Sequence, residues 1–215
     1  MKDVLNKIFG EVLVKQNEND ADCFLEKLID EEGLTVFRFE VSSAEAFVPK
    51  PILLEWKVPA INVKGVWKPT ADLSKRIEAD WELDNHESRI SIDAPIISLF
   101  GGSDENVLCF SCSNAINRIE MAAKYREEDN QFHCRFIFFT ECKYPIKDFS
   151  ALIRMDTRPV HFSKAIQDTA SWWEDFDNLK PAFVPQIAKQ PLYSTWYQFH
   201  PVSYTHLTLP TTSRV

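Results

Sequence analysis

Apolar residues recur at every second position through most of the chain. In LTVFRFEV, Phe37, Phe39 and Val41 alternate with charged residues, and in ILLEWKV the residues Leu54 and Trp56 do the same. The same alternation continues in NRIEMAAKY and QFHCRFIFFT, which are separated by the polar segment REEDN. A period of two is typical of a strand with one buried face, so these runs predict strands, the last two joined as a hairpin.

Shorter apolar runs lie between these strands. INVKGVW places Ile61, Val63 and Trp67 on one face, with Gly65 at a position that suits a bulge. SRISID, PIISLF and NVLCFS are further short strands, and GGSDEN is predicted to be the turn between the last two.

Strands with one apolar face need a second sheet to cover it. We therefore predict an all-β fold, an antiparallel β-sandwich over residues 1–157. The segments DVLNKIFGEVLVK and CFLEKLIDE suit either a helix or a strand, and we favour a strand followed by a short helix or loop.

The period changes after Asp156. In HFSKAIQDTASWWEDF the apolar residues recur at helical spacing, which predicts a helix. Its apolar stripe consists of Phe162, Ile166, Ala170 or Thr169, Trp173 and Phe176. The pair Trp172–Trp173 suits packing of this helix on the sandwich. Prolines then punctuate LKPAFVPQIAKQP, so residues 158–190 are predicted to be a linker helix and an extended connector.

The composition narrows the classes of partner. The net charge is -8 and no run of Lys or Arg occurs, which disfavours a nucleic-acid groove. No apolar run approaches the roughly 20 residues that a membrane span needs, and the N-terminus does not resemble a signal peptide. The five cysteines are scattered, which suggests reduced thiols and a cytoplasmic location. The lone CFSC motif is predicted to be buried packing in preference to a metal or redox site, and we expect no cofactor.

The end of the chain has a different character. VSYTHLTLPT back-translates to one frame of a transposase mosaic-end adapter used for sequencing libraries. We therefore expect residues 202–215 to be adapter-derived, with a seam at Pro201 and a natural chain that continues past His200. The alternative is a natural disordered terminus, which has a similar composition.

The junction residues resemble those of family 36 glycoside hydrolases, the bacterial α-galactosidases. The resemblance lies in RPVHFSKAIQDTASWWE, the proline connector and especially PLYSTWYQFH, which is close to PLYSTWYSFHQ in relatives. Gln198 departs from the Ser that is common there, and Pro201 departs from Gln. The resemblance implies a supersandwich, galactose-mutarotase-like domain, then a linker helix, then a (β/α)8 barrel whose first strand is residues 191–201.

The chemistry that this resemblance implies needs two aspartates about 5–5.5 Å apart, a nucleophile and an acid/base. In relatives they lie on later barrel strands, so neither is in this chain and no catalytic residue is assigned. The acids Glu174, Asp175 and Asp177 are interpreted as a solvated helix end. The chain itself is expected to be inactive.

The resemblance implies substrate contacts for a few aromatic residues. Trp196 and Tyr197 match a pair that contributes to the galactose pocket in relatives, although alternation along the strand turns only one of them to the pocket. Trp67, in GVWKPT, is the candidate for a sandwich tryptophan that reaches the site, with sandwich core as its alternative role. His200 is interpreted as structural.

The predicted substrates are melibiose- or raffinose-type galactosides, and relatives suggest a homo-oligomer formed through the sandwich. Two alternatives stay open. One is a stand-alone β-sandwich that binds carbohydrate or a protein. The other is a related enzyme of different specificity, an α-N-acetylgalactosaminidase or a galactosyltransferase-type enzyme, because the specificity residues would lie in the barrel.

Overall fold

The computed structural model describes residues 13–16, 21–69, 76–83, 85–89, 92–114, 116–176 and 182–191. These residues form twelve strands and one α-helix. The strands are β1 (Leu13–Gln16), β2 (Asp22–Glu31), β3 (Leu34–Phe47), β4 (Ile52–Pro59), β5 (Gly65–Trp67), β6 (Glu78–Ala79), β7 (His86–Ser88), β8 (Ile96–Phe100), β9 (Asn106–Cys112), β10 (Ile119–Arg126), β11 (Gln131–Phe138) and β12 (Ile146–Asp156). The helix, α1, is Phe162–Trp173.

The strands form two six-stranded sheets. Sheet A has the order β1-β4-β11-β10-β6, with β7 also paired to β10. Its pairs are antiparallel except for β6 with β10, which is parallel. Sheet B has the order β2-β3-β12-β9-β8-β5 and is antiparallel throughout. The predicted all-β sandwich followed by a linker helix is confirmed.

Aromatic residues from both sheets meet in the core between them. Phe39 of sheet B stacks on Phe138 of sheet A, with ring centroids 4.8 Å apart. Trp56 of sheet A meets the edge of Phe110 of sheet B at 5.0 Å. Such offset or edge-on pairs are the arrangements that ring quadrupoles favour. The inward residues predicted for β3, β4, β10 and β11 are confirmed, because the apolar face of each strand is buried in this core. The predicted alternation of β10 was wrong in part, because Ala122 and Lys124 on its other face are buried as well.

Three local predictions were wrong. INVKGVW is a 3-10 turn at Ala60–Asn62 followed by a strand of only three residues, and Ile61 is 83% exposed. CFLEKLIDE is not a helix or loop but lies in β2, whose side chains are mostly exposed because β2 is an edge strand. SRISID does not form one strand, because β7 ends at Ser88.

Helix α1 covers part of the outer face of sheet B. Ala165 packs with Ile96 and Cys109 in a second apolar cluster, and Trp173 borders it. Trp173 Nε1 also donates a hydrogen bond to the Cys112 carbonyl at 3.1 Å. The predicted helix and the packing of Trp173 are confirmed.

The inward stripe of α1 decides one position that the prediction left open and differs from the prediction at another. Thr169 is buried and Ala170 is exposed, so Thr169 is the correct alternative. Phe176 lies beyond the helix end and packs edge-on against Trp172 at 5.1 Å.

The chain divides into two compact units, Met1–Lys180 and Pro181–Val215. The first unit holds the sandwich and α1. In the second, the described residues form a short 3-10 turn at Gln186–Lys189. The predicted barrel strand beyond Pro191 and the tail from 202 onward lie outside the described residues, and their assignments stay predictions.

Candidate functional site

The substrate contacts predicted near the end of the chain, Trp196 and Tyr197, lie outside the described residues, as does His200. Trp67 is described. It ends β5, opposite Ser98, and borders the apolar cluster beneath α1. Trp67 is only partly buried, and this contact gives it a packing role between sheet B and the helix. Its role in substrate binding stays a prediction.

A buried ion network joins α1 to sheet B. The Arg154 and Asp156 side chains lie on the outer face of β12, and these residues are only 3% and 0% exposed. Arg154 donates to Thr169 Oγ1 at 2.8 Å and to Asp156 Oδ2 at 3.0 Å. Arg158 donates to Asp156 Oδ1 at 2.9 Å and to Asp168 Oδ2 at 2.8 Å. The network therefore ties the helix residues Thr169 and Asp168 to the sheet.

The charge state of this network follows from its partners. Burial alone raises the pKa of Asp156, but hydrogen bonds from Arg158 and the charges of Arg154 and Arg158 outweigh it and hold the pKa below its ordinary value. Asp156 is therefore a carboxylate at neutral pH. Because all its partners belong to the sheet and helix, we interpret this network as structural and not catalytic.

An exposed tryptophan that the sequence reasoning missed lies on a turn after β6. Trp81 is 76% exposed and Leu83 is 92% exposed. The turn is nevertheless well held. Arg76 forms two hydrogen bonds to the Glu82 carboxylate, at 3.0 and 2.5 Å, and the Ala79 N–H donates to the same carboxylate at 2.9 Å.

The same turn is anchored to sheet A from below. Lys124 Nζ donates to the Glu82 carbonyl at 2.6 Å and lies 3.7 Å from Glu78 Oε2. Burial lowers the pKa of Lys124. The Asp80 N–H donates to the Tyr125 carbonyl at 2.9 Å. A rigid turn that presents an exposed indole is suited to stacking on an apolar ligand face, because little ordering is needed on binding.

The sequence contains no signal that Trp81 is exposed. In EADWELD, the apolar residues Ala79, Trp81 and Leu83 recur at every second position, the period of a strand with one buried face, yet Trp81 and Leu83 are both exposed.

A cavity of about 800 Å³ lies at one end of sheet B. Three segments line it: residues 61–64 before β5, residues 101–103 and 105–107 at the β8–β9 turn, and residues 157 and 159 after β12. These segments meet because β5, β8, β9 and β12 are antiparallel neighbours. Gly101 permits the close approach of two walls, since a Cβ there would lie 3.1 Å from the Asn62 carbonyl.

The cavity lining mixes apolar and polar groups. Val63 and Val107 are partly buried, Asn106 is buried, and Ser103 and Thr157 are exposed. Its volume lies within the range of about 300–1,000 Å³ that is usual for small-molecule pockets.

The cysteines of CFSC lie in different layers. Cys109 belongs to the cluster beneath α1 and Cys112 to the core between the sheets. All five cysteines are free thiols, and burial raises the pKa of both Cys109 and Cys112 to about 12. Residues three apart on a strand lie on opposite faces, so these two thiols do not form a joint ligand pair. Their predicted role as buried packing groups is confirmed.

The described residues contain no group of three or more His, Cys, Asp or Glu side chains arranged to hold a metal ion. Nor does this part of the chain contain a helix long and apolar enough to cross a membrane.

Comparison with known proteins gives no match to a family model, a curated protein or a solved structure. Function is therefore inferred from the residues and their geometry.

Proposed function

We propose that this chain is the N-terminal, non-catalytic β-sandwich of a retaining α-galactosidase of glycoside hydrolase family 36. The substrates are melibiose- or raffinose-type galactosides, and the parent enzyme works in the cytoplasm as a homo-oligomer formed through the sandwich. Support comes from the order of elements: two packed sheets, a helix, a proline-punctuated segment and then PLYSTWYQFH.

The observation that carries the proposal is the attachment of α1. The helix is bound to sheet B by the buried Arg154–Asp156 network, so the segment after the last sandwich strand is a helix that packs on the sandwich. A helix at this place is what the resemblance to family 36 implies.

The substrate contacts in this proposal come from Trp196 and Tyr197. Trp67 and Trp81 are both candidates for the sandwich residue that reaches the substrate. The Trp81 indole is the more exposed of the two, because Trp67 borders the cluster beneath α1. The catalytic aspartates belong to barrel strands that follow PLYSTWYQFH, so catalysis is absent from the 215-residue chain.

The test begins with the native locus. We expect a continuous reading frame past the His200 codon that encodes barrel strands, and a full-length protein that hydrolyses an aryl α-galactoside. The 215-residue chain should show no turnover. An in-frame stop codon near Val215 in native DNA, or turnover by the chain alone, would contradict the proposal.

Variants of the full-length enzyme test the assigned contacts. W196A and Y197A should reduce kcat/KM, with at least one by about 10²-fold, the scale of a lost positioning contact. W81A should raise KM with little change in thermal stability, whereas W67A should lower the stability. Unchanged kinetics in both W196A and Y197A would remove the basis of the assignment.

The second candidate function, a stand-alone module that binds carbohydrate or a protein, is supported by the completeness of the sandwich. The apolar faces of its two sheets are already buried against each other within the first compact unit. The native reading frame separates the two proposals, because a module of this kind needs no barrel after PLYSTWYQFH.

A further inference from the structure

One edge of sheet B is open along β2. Among the described residues β2 pairs only with β3, so no described strand lies along its other side. A strand edge of this kind presents a row of N–H and C=O groups with which another chain can pair. The pairing of β2 with β3 is regular from Asp22 to Lys27, and the register shifts between Lys27 and Ile29. Because a bulge bends a strand, residues 22–27 are the part of the edge that suits an added strand.

The two faces of this edge differ in exposure. Cys23 and Leu25 pair with Val41 and Phe39 of β3 and face the core, and Leu25 is only 7% exposed. Because side chains alternate along a strand, Phe24 lies on the outer face, where it is 54% exposed. A strand added beside β2 therefore places side chains next to an aromatic ring on one face and next to the margin of the core on the other.

The same edge carries an excess of negative charge. Residues 22–32 contain five acidic residues and one basic residue, which gives a net charge of -4. Arg38 of β3 lies 3.3 Å from Glu26 and 3.8 Å from Glu40, so one guanidinium is shared by two carboxylates. The Glu26 side chain is 62% exposed. Two copies of this edge repel each other, whereas a strand with basic residues is attracted to it. The acidic residues are Asp22, Glu26, Asp30, Glu31 and Glu32, and the basic residue is Lys27.

We propose that residues 22–27 of β2 are a docking edge for an extended, basic segment of a partner protein, which pairs with β2 as a further strand of sheet B. Basic side chains of that segment lie opposite Asp22 and Glu26, and apolar side chains lie opposite the three residues between them. In this mode of recognition the backbone hydrogen bonds supply affinity and the alternate side chains supply specificity. The inference concerns the sandwich alone and does not rest on the proposed glycosidase function.

The probe is the acetylated and amidated peptide TKVVVKT, titrated into the 215-residue chain. Its sequence is the same in both directions, so its two lysines reach Asp22 and Glu26 in either a parallel or an antiparallel pairing. We expect saturable binding with a Kd on the order of 0.1 mM. Hydrogen exchange of amides within residues 22–27 should slow, because an added strand protects the backbone and a contact between side chains alone does not.

Two control peptides separate the contributions of charge and backbone. TEVVVET reverses both charges. TKPPVKT contains two adjacent prolines, so one ladder N–H is lost in either register. Each control should bind at least about tenfold more weakly than TKVVVKT.

A matched pair of variants locates the binding. E26K should weaken binding of TKVVVKT at least about fivefold and strengthen that of TEVVVET, because an attractive cross-strand charge pair becomes a repulsive one. E127K makes the same change of charge in the exposed turn between β10 and β11 and should leave both affinities unchanged. Urea midpoints verify that both variants fold, and D22K replaces E26K if the midpoint of E26K falls.

The cysteines provide a readout of position in the unsubstituted chain. Cys23 and Cys142 are both partly exposed, and only Cys23 lies in β2. Bound TKVVVKT should slow modification of Cys23 by an aromatic disulfide reagent and leave the rate at Cys142 unchanged.

Several results would overturn the proposal. These are no saturable binding of TKVVVKT, equal binding of either control peptide, equal affinities in E26K and E127K, or protection of Cys142 in place of Cys23. A dimer in sedimentation velocity that E26K abolishes would assign the edge to a second copy of the chain instead. None of these measurements depends on hydrolysis, so their failure is distinguishable from failure of the glycosidase proposal.

Discussion

The outer faces of the two sheets carry charged residues in contrasting environments. On sheet A, Lys57 and His133 contact Asp129 at 2.8 and 2.9 Å, and all three side chains are partly exposed. On sheet B, Arg154 and Asp156 form a comparable pair at 3.0 Å but are almost wholly buried beneath α1. The same pairing of charges is therefore partly exposed at Asp129 on sheet A and buried at Asp156 on sheet B, where it attaches the helix.

The difference also appears in the strand sequences. β11, in sheet A, alternates buried and partly exposed residues because its outer face is open. β8, in sheet B, reads IISLF and is buried at every position, since α1 and its neighbours cover the outer face. A strand that is buried on both faces does not need alternating apolar and polar residues.

The largest expected effect is a difference in the free energy of unfolding that the two ion pairs contribute. D156A leaves Arg154 buried without its carboxylate, and we expect a loss of about 3–5 kcal/mol in the free energy of unfolding. The matched variant D129A, on the open face, should cost about 0–1 kcal/mol. Urea denaturation measures both, and equal losses would show that helix burial does not set the strength of the pair.

Acid should weaken the buried pair through the same carboxylate. The pKa of Asp156 is lowered on folding, so its contribution is present above the unfolded value of about 3.9 and is lost as pH falls through the folded pKa. D156N should flatten the loss of stability below about pH 4. If D156N lost stability below pH 4 as steeply as the unsubstituted chain does, the result would contradict this prediction.

The open face should respond to acid and also to salt. Hydrogen bonds from Lys57 and His133 lower the pKa of Asp129 to about 2, so its contribution too is present above the unfolded pKa and is lost as pH falls toward about 2. Because this pair is exposed, 1 M NaCl should screen it, with a Debye length of about 3 Å. We expect the effect of D129N to shrink in high salt and that of D156N to persist, and unfolding curves at two salt concentrations compare them.

A smaller effect is expected from the helix–sheet hydrogen bond. W173F removes the donor to the Cys112 carbonyl and should cost about 1 kcal/mol. Its neighbour provides the control, because W172F changes a residue whose described contact is with the ring of Phe176. Thermal unfolding should rank W173F below W172F, and the reverse order would remove this bond from the attachment of α1.

The reactivity of each thiol tests whether the cysteine is buried or partly exposed, and the measurement requires no substitution. Cys109 and Cys112 have pKa values of about 12, so only about 10⁻⁴ of each is thiolate at pH 8. We expect an aromatic disulfide reagent to modify the partly exposed Cys23 and Cys142 in the native chain, and all five cysteines in denaturant. Rapid native modification of Cys109 would indicate that α1 opens.

Long alternating runs were predictable because their pattern depends on one buried face. The strands containing Phe37, Trp56, Met121 and Phe136 were predicted with the correct inward residues. β2 was not predicted as a strand, because an edge strand buries little and shows weak alternation. Ile61 was misplaced because a 3-10 turn interrupts the pattern that seemed to place it inward.

The candidate sites were less predictable. Trp67 ends the short strand β5 and Trp81 lies on the turn after β6, and it is the cluster beneath α1 that makes Trp67 partly buried while Trp81 stays exposed. The cavity joins residues 61–64, 101–103, 105–107, 157 and 159, which no sequence pattern connects.

By itself, the sequence determined the sandwich, the helix after Asp156 and the inward face of the long strands, because hydrophobic periodicity is local and repeats along each element. Only the tertiary structure decided which charges are buried, which tryptophan is exposed and where a cavity opens. These depend on contacts between segments far apart in the chain, and burial, unlike period, is a property of neighbours that the local sequence does not contain.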